Sequence, residues 1–384
     1  MRIGVDIRSL LDQETGGVAT YTEQLLINLA KIDTVNDYFL FYNVFQKEID
    51  SVFKKKFSAP NFSIKSFHFP NKIFNSSLNY LCFPKIDRLI GGVDLFFIPN
   101  LIFLALSRKI KKVITLHDLS FLLYPQFYSV KGRWWHKAVN PKKIIQDFDQ
   151  VIAVSESTRN DIINLLEAPP EKVKIIYSGI NPENYQSLDL ITQAKVKKKY
   201  QLPEKFILSL SAIEPRKNID SLISSFKLFK QRSDSGYHLV IVGGYREKIN
   251  GFRFLINNSQ FKEQVHFIGY VSNQEKPYFY NLASLFVYPS FYEGFGFPPL
   301  EAMAASTPVI ASYSSSLSEI CEEAAILIDP HNIEELTEAI YQVLSNSEFS
   351  KRLVAKGLKQ VQKYSWRETA QATLDLFESL VDDK

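Results

Sequence analysis

Apolar positions along this chain fall into two rhythms that take turns. The opening Met1-Arg2-Ile3-Gly4-Val5-Asp6 reads as a buried strand that ends near Ile7. A loop through Gly16 and Gly17 leads into a stretch whose apolar positions, Val18, Tyr21, Leu25, Leu29 and Ile32, recur at helical spacing. Further strands are predicted at residues 38–44, 94–98, 112–116, 150–154 and 173–177. Several are continuous apolar runs rather than alternating ones. A strand that buries both faces reads this way, which indicates a parallel sheet covered by helices on each side.

Between residues 181 and 203 the chain turns polar and lysine-rich, with Pro182, Lys195, Lys197, Lys198 and Lys199. A domain boundary is expected there, because boundaries fall in exposed polar linkers. That gives a first domain over 1–185 and a second over 200–365. The second repeats the alternation, with strands at 206–210, 238–242, 265–267, 285–288, 308–311 and 325–328. About the last 50 residues read as helices only, and 366–384 are expected as a helix crossing back to the first domain. The fold class is therefore α/β, with two Rossmann-like doubly wound domains facing a central cleft. Such sheets bind ligands at the carboxyl ends of their strands, so the cleft is the expected site.

Composition narrows the class. At 384 residues, 46% apolar and 22% charged, the chain has enough apolar material for two full cores. Cys82 and Cys321 stand far apart, with neither a disulfide framework nor zinc spacing, which fits a reducing, cytoplasmic setting. Asp6 interrupts the first apolar run and argues against a signal peptide. The longest apolar stretch, 95–106, is too short for a bilayer and is broken by Pro99 and Asn100. Charge is uneven. Residues 54–143 carry sixteen Lys or Arg against three Asp, a net +13 within a chain of only +4. An anionic partner or an ordinary solvated face would each produce this pattern.

The segment from Pro289 to Ala304 carries the most chemistry: Glu293-Gly294-Phe295-Gly296-Phe297-Pro298-Pro299-Leu300-Glu301-Ala302-Met303-Ala304 follows a predicted strand. Pro298 and Pro299 suit a helix entry, where missing N–H groups cost least. Glu301 is then expected in the first helical turn. Gly294 and Gly296 would let the backbone approach a ligand, and the N–H groups of 294–297 would face an anion. A lone Glu pair of this spacing is weak, and a first-turn Glu is often only a dipole partner. The Gly-Phe-Gly-Phe-Pro-Pro insert makes the pattern specific.

This segment resembles the donor-binding signature of family-four retaining glycosyltransferases of the GT-B fold. Ser211-Ala212-Ile213-Glu214-Pro215-Arg216-Lys217-Asn218 resembles that family's basic loop, and Thr115-Leu116-His117-Asp118 stands where it keeps a histidine. The Arg-Lys-Asn loop and His117-Asp118-Leu119-Ser120-Phe121 resemble the bacterial mannosyltransferase-like subgroup. The likeness is strong over about residues 205–330 and looser over the first 180. It departs at Ser306, where the family usually has glycine, at Ser318–Glu323, which lacks a usual proline and glycine, and at Ser211, where some members have arginine.

The resemblance implies that a hexosyl unit moves from a nucleotide-diphosphate sugar, GDP-mannose favoured and UDP- or dTDP-sugars as alternatives, to a lipid-linked or polysaccharide acceptor with retention. Arg216 and Lys217 would stabilise charge on the departing diphosphate in place of a metal. Glu301 is assigned to the ribose hydroxyls, Glu293 to sugar hydroxyls, and Tyr270 to the nucleobase. Phe295 and Phe297 belong to the donor-binding turn with Gly294 and Gly296. His117 would hold the donor sugar or orient the leaving group. Gly16 and Gly17 would bring a loop to donor phosphate or acceptor, or simply make a tight turn. No cofactor is expected, since the nucleotide sugar is a substrate.

Trp134 and Trp135 would stack on sugar, lie in lipid headgroups or pack in the core. Residues 54–143, with Phe53, Phe57, Phe62, Phe67, Phe69 and Phe74 among the lysines, would make peripheral contact with an anionic inner leaflet. Nucleic acid is not expected, because no recognition motif accompanies the charge. Asp147-Phe148-Asp149 resembles a metal-binding Asp-x-Asp, but its place before a strand favours a structural role. The competing readings are a non-catalytic nucleotide-sugar-binding partner and a GT-B epimerase or phosphorylase.

Overall fold

The computed structural model describes residues 1–10, 16–45, 51–186, 188–233, 235–244 and 261–382. The chain divides into two compact units, Met1–Gly179 with Ser365–Lys384, and Ile180–Tyr364.

The first unit holds a seven-stranded, wholly parallel sheet. Its strands are β1 (Arg2–Asp6), β2 (Asp37–Asn43), β3 (Phe62–Phe67), β4 (Leu95–Ile98), β5 (Lys111–Leu116), β6 (Gln150–Ala153) and β7 (Val173–Ile175), in the order β3-β2-β1-β4-β5-β6-β7. Ile3 pairs with Tyr38 on one side and Leu95 on the other, so the winding reverses between β1 and β4. β4 is buried throughout, as its apolar run requires. β3 is absent from the predicted strands because it is an edge strand whose exposure rises and falls along Phe-Ser-Ile-Lys-Ser-Phe. The helix Gly17–Ile32 buries Tyr21, Leu25 and Leu29. The last helix, Trp366–Asp382, packs against it, with the Trp366 and Tyr21 rings 6.0 Å apart and Phe377 5.2 Å from Phe97 of β4. Gly179 is required here, since a Cβ would lie 2.1 Å from the Trp366 nitrogen.

The second unit holds a six-stranded parallel sheet of β8 (Phe206–Leu210), β9 (His238–Val242), β10 (Val265–Gly269), β11 (Leu285–Tyr288), β12 (Val309–Ser312) and β13 (Ile326–Ile328). The order β10-β9-β8-β11-β12-β13 reverses between β8 and β11. β8, β9, β11 and β12 are almost wholly buried, while the edge strand β10 is half-buried and bulges between Phe267 and Gly269. The lysine-rich stretch expected as a linker is a helix, Leu190–Lys199, capped by Asp189. It belongs to this unit because Tyr200 bonds Glu275 at 3.0 Å and packs on Phe279 at 5.1 Å. The unit therefore begins at Ile180, about twenty residues earlier than residue 200.

Candidate active site

β8 and β11 flank the reversal of strand order in the second sheet, and the loops leaving a reversal diverge to open a crevice. After β8 a single turn, Pro215–Lys217, is stopped by Asn218 in the left-handed conformation (φ 55°). The buried Asn218 amide donates to the carbonyls of Pro289 (3.1 Å) and Pro330 (2.7 Å). This lock turns Arg216 and Lys217 toward the end of β11, where Phe291 N–H donates to the Arg216 carbonyl at 2.9 Å.

There the two cations meet Glu293. Lys217 Nζ lies 2.6 Å from Glu293 Oε1 and 2.7 Å from the Tyr288 hydroxyl. Arg216 Nη1 lies 3.1 Å from Glu293 Oε2 and donates to the Tyr292 carbonyl at 2.7 Å, while its Nη2 reaches Glu214 at 2.8 Å. Ser290 Oγ donates to Glu293 Oε1 at 2.6 Å. Lys217 and Glu293 are both buried. Burial alone would raise a carboxyl, but Arg216 and then Lys217 outweigh it and hold Glu293 at about 2. Burial pulls Lys217 down, Arg216 adds to this, and Glu293 partly offsets it. Burial and Glu293 push the Tyr288 phenol well up.

The Gly294–Phe297 turn leads into the helix Phe297–Ala304. Gly296 caps it at φ 117°, and a Cβ there would lie 2.8 Å from Leu317. This glycine thus answers a backbone and packing need. Phe295 is buried against Phe297 and Tyr364 and offers only its backbone to a ligand. Because the helix begins at Phe297, Glu301 opens its second turn and not the first. Its carboxylate accepts from Tyr280 at 2.7 Å and also bonds Tyr185. Burial, then Glu301, raises both phenols well above their ordinary range.

Ser312, Ser314 and Ser315 of this site were not singled out from sequence. Ser315 Oγ accepts the Glu293 N–H at 2.8 Å, and Ser316 Oγ lies 2.9 and 2.7 Å from the carbonyls of Glu293 and Phe295. Ser312 and Ser314 bond the Ser290 carbonyl. The visible signal was the run Ser312-Tyr313-Ser314-Ser315-Ser316 directly after a strand. Gly243 ends β9 where a Cβ would lie 1.7 Å from the Ser211 carbonyl oxygen. Tyr270 follows Gly269 at the end of β10 and is 59% exposed.

The other predicted residues lie in the first unit. His117 follows β5, partly buried, with Nε2 2.8 Å from the Pro99 carbonyl and its ring edge-on to Tyr21 at 4.8 Å. A carbonyl only accepts, so Nε2 carries the proton and Nδ1 is the acceptor. Burial lowers the His117 pKa and the Pro99 carbonyl partly offsets this, which favours the neutral ring. Asp118 caps the next turn, accepting from Ser120 N–H at 2.9 Å. Gly16 is the N-cap of the helix Gly17–Ile32 in extended conformation (φ −94°), so neither a left-handed turn nor a side-chain cap marks this entry. At the end of β1 an unforeseen buried pair joins Arg8 Nη2 to Asp6 at 2.6 Å.

Phe57, Phe62 and Phe74 are buried, so these expected membrane aromatics are core residues. Trp134 is 67% exposed, which removes core packing as its role, while Trp135 is 36% exposed and packs edge-on to Phe103 at 5.7 Å. Asp149 accepts the Lys112 N–H at 2.8 Å at the start of β5, the opposite edge from His117. Among the described residues no group of three or more His, Cys, Asp or Glu could hold a metal ion, and no helix is long and apolar enough to cross a membrane.

Two family descriptions match the chain: Glycosyltransferase Family 4 over residues 15–184 and Glycosyl transferases group 1 over 191–360. The serotype-specific mannosyltransferase WbdA of Escherichia coli is 30% identical over 277 residues, 71% of this chain but 34% of that relative, so the chain spans about a third of its length. The O-antigen chain mannosyltransferase B of Escherichia coli is 29% identical over 302 residues, 77% of this chain and 75% of the relative. The solved sucrose-phosphate synthase of Thermosynechococcus elongatus superposes over 100% of both chains with a TM-score of 0.77 at 21% identity, a likeness of fold alone. Together with the two parallel sheets and the Arg216–Lys217–Glu293 cluster at the reversal point, these matches identify the chain as a glycosyltransferase of the GT-B fold, belonging to family four.

Proposed function

We propose that the chain is a retaining, metal-independent mannosyltransferase that draws on GDP-mannose and extends a lipid-linked or polysaccharide acceptor. The observation that carries this reading is the meeting of Arg216 and Lys217 with Glu293 at the β8/β11 reversal point. As the bond to the anomeric carbon breaks, negative charge grows on the departing diphosphate, and fixed cations stabilise it most when water is excluded. Arg216 supplies a bidentate fork and Lys217 a point charge. The diphosphate competes with Glu293 and Glu214 for these cations, which leaves Glu293 to accept from sugar hydroxyls. Glu301, steadied by Tyr280, takes the ribose hydroxyls. Neutral His117 presents Nδ1 as an acceptor for a donor-sugar hydroxyl.

The mannosyl donor is supported by the subgroup resemblance and by the two mannosyltransferases similar to this chain. Retention rests on the family resemblance. For the acceptor, we place the chain at the inner leaflet as a peripheral protein, on the strength of the +13 segment in the first unit.

A thermal-shift and turnover screen of GDP-mannose, UDP-glucose and dTDP-glucose tests the reading. GDP-mannose should give the largest stabilisation and be slowly hydrolysed without acceptor, with EDTA making no difference. Binding without hydrolysis would favour the non-catalytic alternative. Loss of turnover with EDTA, restored by manganese, would overturn the cation-based mechanism.

A further inference from the structure

Phe286 and Tyr288 stand two residues apart on β11, so their rings share one face of the strand. Both are buried, and the rings stack with centroids 5.9 Å apart. Phe286 in turn meets Tyr280 edge-on at 5.3 Å, and the Tyr280 hydroxyl donates to Glu301. The Tyr288 ring is therefore fixed, and its hydroxyl with it. Packing alone would be served by phenylalanine at both positions, because a phenol in an apolar interior costs free energy unless its hydroxyl is bonded. The oxygen of Tyr288 needs a reason of its own.

Lys217 supplies one. Its Nζ donates to the Tyr288 hydroxyl at 2.7 Å and to Glu293 Oε1 at 2.6 Å. An ammonium has three protons, and these two partners take two of them. The partners differ in kind. Glu293 is a carboxylate and offsets the charge of Lys217. Burial, then Glu293, pushes the Tyr288 phenol well above its ordinary range, so it stays a neutral acceptor. A neutral acceptor fixes the direction of an ammonium without cancelling its charge. A second carboxylate at this place would hold Lys217 as firmly and leave nothing to attract an anion.

We infer that Tyr288 is a positioning residue for diphosphate recognition: its hydroxyl holds Lys217 so that the third ammonium proton is presented to an oxygen of the departing diphosphate. This rests on the role proposed above for Lys217. Tyr288 touches no substrate and acts only through the lysine. Because the hydroxyl is carried by a strand and braced by the stack on Phe286, Lys217 meets the growing negative charge without first having to reorient, which is where fixed donors are most effective.

Calorimetry of the full chain with inorganic pyrophosphate, which carries neither base nor sugar, tests this in a double-mutant cycle of Tyr288→Phe and Lys217→Met. Tyr288→Phe keeps the ring and removes one oxygen. Pyrophosphate affinity should fall by about tenfold, the lower end for a hydrogen bond to a charged group. In the Lys217→Met background the same change should cost less than about twofold, because the phenol then has no ammonium to hold. If circular dichroism shows that Lys217→Met does not fold, Glu293→Gln is added to all four proteins of the cycle. With GDP-mannose, Tyr288→Phe should lower kcat by a larger factor than it raises donor KM, because the leaving-group charge is greatest in the transition state. The alkaline limb of kcat should move to lower pH, since an ammonium that loses an acceptor gives up its proton more readily. Unchanged pyrophosphate affinity in folded Tyr288→Phe would overturn the inference, as would a wild-type protein that does not bind pyrophosphate. So would an equal loss with and without Lys217, because the phenol would then act through packing. Coupled pyrophosphate binding without turnover of GDP-mannose would count against the donor assignment and leave the role of Tyr288 standing.

Discussion

Each unit carries a buried ion pair at the end of a central strand, and the two pairs are built differently. In the first unit Asp6 and Arg8 are neighbours on one strand end, and Arg8 also donates to the Phe103 carbonyl at 2.9 Å. In the second, Lys217 and Glu293 stand 76 residues apart and are brought together from loops after two different strands. A pair two residues apart forms wherever its strand forms. A pair assembled across a reversal point requires the whole sheet, together with Asn218, Ser290 and the serine run that hold both loops. The contrast teaches that the second unit gathers its buried polar groups into a charge cluster that exists only once the whole sheet has formed. The first unit keeps a local anchor and turns its cations outward beside Trp134.

The largest effect should follow from breaking the assembled pair. Lys217→Ala leaves Glu293 buried with one partner fewer, and unfolding in denaturant should show a loss of about 3–5 kcal/mol. Lys217→Met with Glu293→Gln should recover much of it, because the uncompensated charge is then gone. Activity should stay low in both. Equal stability of wild type and Lys217→Ala would mean that the cluster is not held as described.

Acid offers a second handle of nearly the same size. Glu293 has its folded-state pKa lowered from 4.5 to about 2. Its stabilisation is thus fully present above about 4.5 and is lost as pH falls toward 2. The shift corresponds to about 3 kcal/mol. Stability measured from pH 5 downward should fall less steeply in Glu293→Gln than in wild type. Identical slopes would remove Glu293 as the source.

Glu301→Ala should weaken nucleoside diphosphate binding by about 1.5–3 kcal/mol in calorimetry, the range for charge-assisted hydrogen bonds. Wild-type affinity in a folded mutant would sink the ribose assignment. Tyr280→Phe should cost less, since Tyr185 still bonds the carboxylate.

The smallest effect should be a gain. Ser306 sits at φ 61°, in the left-handed region, where the resembled family usually has glycine. Ser306→Gly should raise stability by about 0.5–1 kcal/mol by relieving that strain. A loss would mean that the serine side chain has a compensating partner.

Reading the residues in order was enough for the strand–helix alternation, because buried parallel strands must be continuous apolar runs. It was enough for the turn at Gly294–Phe297 as well, since Gly-Phe-Gly-Phe-Pro-Pro between two glutamates has a local cause: glycine for φ 117° at position 296 and prolines at a helix entry. It did not reach β3, whose pattern is that of an edge strand, or the start of the second unit. There a lysine-rich helix looks like a linker until Tyr200 is seen against Phe279. Local sequence also misjudged side-chain burial within residues 53–74, where Phe57, Phe62 and Phe74 proved to be core while Phe53 and Phe67 are half-buried and Phe69 is exposed. Which of two aromatic residues faces water is set by what packs beneath it, and that depends on strands far away in the chain. The same holds for Lys217. Its type and its place after a strand were legible from position alone. Its burial, its lowered pKa and its bond to Glu293 arise only when β8 and β11 lie side by side, because electrostatic coupling in a protein interior follows distance in space and exclusion of water.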